Sequence, residues 1–477
     1  MSVAYAVAWL APLLIGTALV VLAAGRGASP RWTASLGGGI TLGVLSCALA
    51  VDALGAVDVK TVRSVLLPLL ATLGALLALF AFARRRGIAP TPPAPLARVH
   101  PLAWGLLALL AVHAWLIAGE VLLRPPYPWD AWAIWLLKPK AWMLDGRIAP
   151  FVDFARWYAD ASGSLRTADA WAYPEAIAHL AIWFAAAWGS WNAIAVDVAW
   201  FVLWLALLLG CHGHLRDLGL DRTRALVATY ALGSLPLLDV HVALAGYADL
   251  WVAATLAFAC LHWLRWLERR GRGDLLLALA FAFLLPTIKL EGWAWLLIFV
   301  GTMVYERMPP RMRRLALLLA PFIGAGVGVA SLMRWPPFGW LFDRLDLGMD
   351  AAIQLAHAPA VIAATATGLF AQYNWHLFWF AVALTLALRW RALVQSPALR
   401  LLGLFLLLGC GFLFALFVLT PAGRWAESYT VVNRLGLQVV PAMLVFIALL
   451  WRDAARSTEP GPKESGAPRT AIAPSLR

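Results

Sequence analysis

Charge is scarce in this chain. Asp, Glu, Lys and Arg make up 13% of its 477 residues, and 62% are hydrophobic, whereas soluble domains carry about 25% charged residues. That scarcity excludes an ordinary soluble domain. Cysteine is scarce as well: Cys47, Cys211, Cys260 and Cys410 lie scattered within or at the ends of apolar runs. The scatter excludes a disulfide framework and reads as small buried side chains. No Walker loop, HExxH or GxSxG pattern stands in a suitable setting, no internal repeat is evident, and the first apolar segment has no basic stretch before it. The last absence predicts a retained helix rather than a cleaved signal peptide.

What is present is a succession of apolar runs, each about as long as a membrane span. They lie near 5–24, 33–55, 63–83, 102–122, 174–189, 192–214, 223–239, 247–267, 274–289, 291–306, 313–333, 373–390, 397–420 and 431–451. The formal net charge of +13 gathers in short links between them, such as Arg84–Arg86, Arg269–Arg270 and Arg311–Arg314. Cytoplasmic loops have this character, so the basic balance reports topology and not nucleic-acid binding. Arg26 and Arg31 follow the first run and predict an outside N-terminus. The basic, Pro-rich link 84–101 is then cytoplasmic, and the segment 123–172 falls outside, together with the links 239–249, 287–291, 334–372 and 421–433. Parity holds only if 174–189 and 192–214 make one net crossing, so the first is expected to be partial or re-entrant. The tail 453–477, rich in Pro, Gly and Ser from Ser457 onward, is expected to be a disordered cytoplasmic segment. The fold expected is therefore an all-α polytopic membrane protein of about thirteen transmembrane helices.

The longest non-apolar segment, Arg124 to Asp160, interleaves Tyr127, Trp129, Trp132, Trp135 and Trp142 with Asp130, Lys138, Lys140, Asp145 and Asp153. Amphipathic helices lying in the membrane interface have this pattern. Asp130 and Lys138 would share neighbouring faces of one helix, ended or kinked by Pro139, with Asp130 also suited to cap it. Three other outward ends bring polar groups: Asp239, His241, Tyr247 and Asp249; Lys289 and Glu291; and Arg424, Glu427, Tyr429, Asn433 and Arg434. Carboxylates at membrane depth are costly and usually functional. Helix capping, snorkelling and interfacial anchoring are their bland alternatives. Lys289 suits a phosphate as a point charge and Arg434 as a planar fork, while the spacing of Lys289 and Glu291 gives each a separate partner if helical. His179 reads as a satisfied interior residue, and Cys211-His212-Gly213-His214 lies at the opposite, basic side.

The order of these groups resembles the integral-membrane GT-C glycosyltransferases. An outward helix is followed by Trp129-Asp130-Ala131, Ala172-Tyr173-Pro174-Glu175 opens the next run, and Gly246-Tyr247-Ala248-Asp249 starts a later one. Lys289-Leu290-Glu291-Gly292 and Asn433-Arg434 ahead of a helix with Pro441 are similar to bacterial members, among them relatives of protein O-mannosyltransferases and lipid A aminoarabinose transferases. The resemblance covers about 102–452 and leaves 1–101 as three additional helices with their linker. It implies an inverting transfer of a sugar from a polyprenyl-phosphate donor to an envelope glycan, lipid or protein, at the extracytoplasmic face of a bacterial inner membrane. Asp130 and Asp249 would be the catalytic carboxylates, with Lys138, Tyr173, Glu175, Tyr247, Lys289, Glu291 and Arg434 binding substrate. A divalent metal (Mg or Mn) near the first-loop acid is also implied. The chain departs from the family in having no acidic pair at Asp130 and no large soluble C-terminal domain, which leaves acceptor recognition to loops such as 334–372. A lipid-linked saccharide transporter, an O-antigen ligase or polymerase, and a non-catalytic scaffold are the competing expectations.

Overall fold

The computed structural model describes residues 2–24, 31–53, 58–86, 100–316, 318–319, 351–420, 422–429 and 431–452. The expected tail, most of the Pro-rich linker, most of the run at 313–333 and the first half of the 334–372 loop lie outside them. The protein is an all-α, multi-pass membrane protein. Among the described residues the one sheet is a two-residue parallel pair, β1 (Phe151–Val152) with β2 (Arg166–Thr167), in the register Phe151 to Arg166.

Seven described helices are long and apolar enough to cross a bilayer. They are α1 (Val3–Ala23), α2 (Trp32–Ala53), α3 (Val59–Arg85), α4 (Pro101–Leu123), α8 (Ala193–Asp217), α11 (Asp249–Arg269) and α16 (Pro397–Leu419). Between α4 and α8 lie the short α5 (Leu137–Asp145), α6 (Phe154–Tyr158) and α7 (Ala176–Trp188). Next come α9 (Arg222–Gly233) and α10 (Pro236–Ala243), and after α11 come α12 (Arg272–Ile288), α13 (Gly292–Arg307), α14 (Ala351–Phe370) and α15 (Phe378–Gln395). The described chain closes with α17 (Gly423–Glu427), α18 (Val432–Leu437) and α19 (Val440–Leu450).

Fewer helices reach spanning length than the apolar runs suggested, for local reasons. The run at 223–239 breaks into α9 and α10, bent by 60°. Pro236 opens α10, where it needs no N–H donor, and the residue before it, Leu235, is extended. The 17 and 16 residues of α12 and α13 extend only about 24–26 Å at 1.5 Å per residue, short of a hydrocarbon core of about 30 Å.

The helix α7 has 13 residues, about 20 Å, and both its ends abut the same end of the bundle. Glu175 precedes it beside Lys138, while the carbonyl of Ala187 near its close accepts from the Ser2 hydroxyl at the start of α1. It is shorter than a span and covered on nearly every side by protein. The N-terminal helices form its berth. Trp183 Nε1 donates to the Ala8 carbonyl at 3.0 Å, Tyr5 donates to the Ala195 carbonyl at 2.6 Å, and α2 packs on both α7 and α8. The helices α1 and α2 are thus built into the core, more closely than additional helices need be. Their own contact relies on small residues: a Cβ on Gly43 would lie 1.8 Å from the Pro12 carbonyl oxygen.

The basic links gather at one end of this bundle. There Arg265 pairs with Asp217 and Asp274, Arg31 with Asp217, Arg270 with Glu306 and Arg452 with Glu268. The segment 124–175 covers the opposite end, called here the loop end.

Candidate functional site

The loop is two short helices and a brace, not one helix. Asp130 precedes a π-helical turn, Ala131–Trp135, and makes no capping hydrogen bond. A new helix, α5, begins at Leu137, and Pro139 sits in its first turn, where a missing N–H costs nothing. Pro139 therefore neither ends nor kinks a helix, and Asp130 and Lys138 do not share one. The side chain of Lys138 is buried: its ammonium donates to Glu175 at 2.7 Å and to the Trp171 carbonyl at 2.9 Å, tying the start of α5 to the start of α7. The other loop carboxylates are engaged locally. Asp145 pairs with Arg166, Asp153 caps α6, and Asp160 accepts from Ser162 and from the Leu165 N–H.

Asp130 turns to a partner about three hundred residues away. Arg434 Nη1 lies 2.7 Å from Asp130 Oδ2, while its Nη2 lies 3.2 Å from Asp249 Oδ2. The guanidinium bridges two carboxylates and lies over the Tyr247 ring, 4.2 Å from its centroid. Asp249, the first residue of α11, is fully buried. Its Oδ1 accepts from Lys289 Nζ and Gln438 Nε2, each at 2.8 Å. Gln438 accepts in turn from Trp295 Nε1 at 2.6 Å. Lys289 also reaches Glu291 at 3.2 Å. The expectation of separate partners fails because Lys289 is extended at the end of α12, so helical spacing does not apply. Nor does Lys289 snorkel. Burial alone would push its pKa down, but Asp249 and Glu291 raise it above its usual range and keep the ammonium charged.

The network has a closed side and an open side. Asp249 and Lys289 are sealed, whereas the side chains of Asp130, Glu291 and Arg434 keep 23%, 21% and 17% of their surface. Two buried polar atoms at that opening have no hydrogen-bond partner among the described residues, Glu291 Oε2 and Arg434 Nε. Tyr173 borders the same charges; burial first, then the Glu291 carboxylate, push its hydroxyl above its usual range. Asn433, next to Arg434, is held by Trp375 and Gln372.

Gly246 makes the approach of the two segments possible. Its φ is +109°, and a Cβ there would lie 2.4 Å from the Cβ of Ala131, the neighbour of Asp130.

The structure thus brings Asp130, Tyr173, Tyr247, Asp249, Lys289, Glu291 and Arg434 together, with the Lys138–Glu175 pair beside them. The implied divalent ion near Asp130 does not fit these residues. The cations Lys289 and Arg434 already occupy the space among the three carboxylates, and a dication there would face both within a few ångströms. Two contributors went unassigned from sequence. Gln438 is an amide in an otherwise apolar run, which was the available signal. His241 is buried, donates from Nδ1 to the Leu237 carbonyl at 2.8 Å, and stands 5.1 Å from the Tyr247 ring.

No protein-family model, curated protein or solved structure matches this chain.

Proposed function

We propose that the protein is a glycosyltransferase of the GT-C kind, acting at the loop end on a polyprenyl-phosphate sugar. The observation that carries the reading is the Asp130–Arg434–Asp249–Lys289 network. It is a water-reaching carboxylate joined to two cations across segments far apart in sequence, under an aromatic loop. A phosphate leaving group needs positive charge where its own negative charge develops, and an acceptor hydroxyl needs a carboxylate to take its proton. With no nucleotide-binding motif, a lipid-borne donor is the natural source of the sugar.

In this mechanism Asp130 receives the proton as the acceptor oxygen attacks the anomeric carbon. The carbon–phosphate oxygen bond breaks on the opposite face, and the configuration inverts. Arg434 stabilises the departing phosphate through the guanidinium edge nearest the opening. Asp249 and Lys289, being sealed, are positioning residues: Asp249 fixes Arg434, and Lys289 keeps Asp249 charged. Tyr247 supports the guanidinium, while Tyr173 and Glu291 line the opening for the sugar or acceptor. Lys138 and Glu175 hold the loop in place. The basic links then face the cytoplasm, the loop end faces outward, and the membrane is the bacterial inner membrane. The acceptor is an envelope glycan, lipid or protein.

The bent pair α9–α10 favours a second reading, a transporter of lipid-linked saccharides, because broken helices are the usual hinge of such proteins. Mass spectrometry of envelope glycolipids and glycoproteins separates the two. A deletion strain would be complemented with wild type or Asp130→Asn. Loss of a defined sugar that only wild type restores supports transfer; restoration by both sinks it in favour of transport.

A further inference from the structure

A second polar cluster at the loop end stands apart from Asp130. His179 is 4% exposed and neither ring nitrogen has a hydrogen-bond partner among the described residues. Its Nδ1 lies 3.7 Å from Asp52 Oδ1 and its Nε2 3.7 Å from Glu175 Oε2. These separations exceed hydrogen-bond reach, yet one ligand atom from each of the three residues lies within 4.8 Å of the others. Lys138, Asp249 and Lys289 at this end are directly paired, whereas this imidazole is left between two carboxylates.

We propose that Asp52, Glu175 and His179 hold a transition-metal dication of the zinc class. Arms of 2.0–2.2 Å place tetrahedral ligands about 3.3–3.6 Å from one another. The spacing here needs only a small inward turn of Asp52, whose side chain is 60% exposed at the end of α2. Glu175 is already oriented: Lys138 takes Oε1 at 2.7 Å and leaves Oε2 as a single ligand atom. The imidazole is oriented too, by the Trp142 ring stacked against it at 5.3 Å and 16°. One ring nitrogen takes the ion. An imidazole with two carboxylates suits zinc or manganese better than magnesium or calcium. Three protein ligands leave a fourth position open to water or to an oxygen of a bound molecule. The ion would clamp α2, the start of α7 and, through Lys138, the loop, independently of any sugar transfer.

The test uses the whole protein in detergent, given zinc chloride and desalted, with bound metal measured by elemental analysis and affinity by chelator competition. Wild type should retain one zinc per chain. His179→Gln and Asp52→Asn should each weaken binding by about tenfold or more, and Asp130→Asn should leave it unchanged. Should His179→Gln fail to fold, Asp52→Asn alters an exposed side chain and still decides. No retained zinc, equal retention in Asp52→Asn, or loss in Asp130→Asn would overturn the site and leave His179 a buried packing residue.

Discussion

At the basic end Arg265 lies between Asp217 and Asp274; at the loop end Arg434 lies between Asp130 and Asp249. The two clusters use the same device, one guanidinium between two aspartates carried on distant segments. They differ in how far they are closed. Arg265 is almost wholly buried, its two carboxylates lie at or near the seal, and His262 takes one of them. Arg434 has one sealed aspartate and one that meets water. A buried ion network by itself therefore says nothing about chemistry. The half-open network is the one equipped to exchange a partner for a substrate.

That contrast can be broken by substitution. Arg265→Ala removes the buried cation shared by two carboxylates, leaving Asp217 with the half-exposed Arg31 and Asp274 with His262, and should cost about 3 kcal/mol, read as a lower melting temperature in detergent. Asp130→Asn should leave the melting temperature within about 1 kcal/mol of wild type, because the pair is partly exposed. It should slow sugar transfer by about 10²–10⁴, measured with a purified polyprenyl-phosphate donor. Equal destabilisation by the two substitutions would erase the distinction between brace and site. Gly246→Ala sharpens it further. Forcing a Cβ against Ala131 at a positive φ should cost about 1–3 kcal/mol and impair transfer by displacing Asp130, whereas Gly105→Ala, in open space on α4, should be silent in both assays.

The smallest effect concerns pH. Asp160 lies outside the spans, and hydrogen bonds from Ser162 and Leu165 hold its carboxyl down to about 2. A carboxyl with a lowered folded value contributes above the ordinary carboxylate range near 4. The contribution fades as the pH falls toward about 2. Limited proteolysis of the 160–165 turn should therefore be unchanged from pH 7 to 5 and increase only below about 4; Asp160→Asn should remove that dependence.

Much of this architecture could be read from the chain because charge sorts by side. The basic links fall at one end, as counting crossings required, and the same counting put Asp130, Asp249, Lys289 and Arg434 on the other. The run at 174–189 was expected from parity to be partial, and its helix has 13 residues, fewer than a span needs. Backbone events hidden from residue spacing account for the rest. Pro236 breaks an apolar run that looks continuous, and extended backbone at Lys289 lets it meet Glu291. A π-helical turn separates Asp130 from Lys138. Tertiary partners such as Gln438 and Trp295 leave almost no trace in sequence, since an amide or an indole within an apolar run has many uses.

The short, buried helix α7 has a consequence for how the chain is made. Synthesis proceeds from the N-terminus, so α1 and α2 enter the membrane before residues 176–188 leave the ribosome. The Ala8 carbonyl and the α2 face that receive α7 are thus already waiting when it emerges. A segment too short to insert alone acquires a protein berth instead of lipid. The N-terminal helices then act as an internal assembly template, and a chain begun at residue 102 would deliver α7 to a membrane with nowhere to put it.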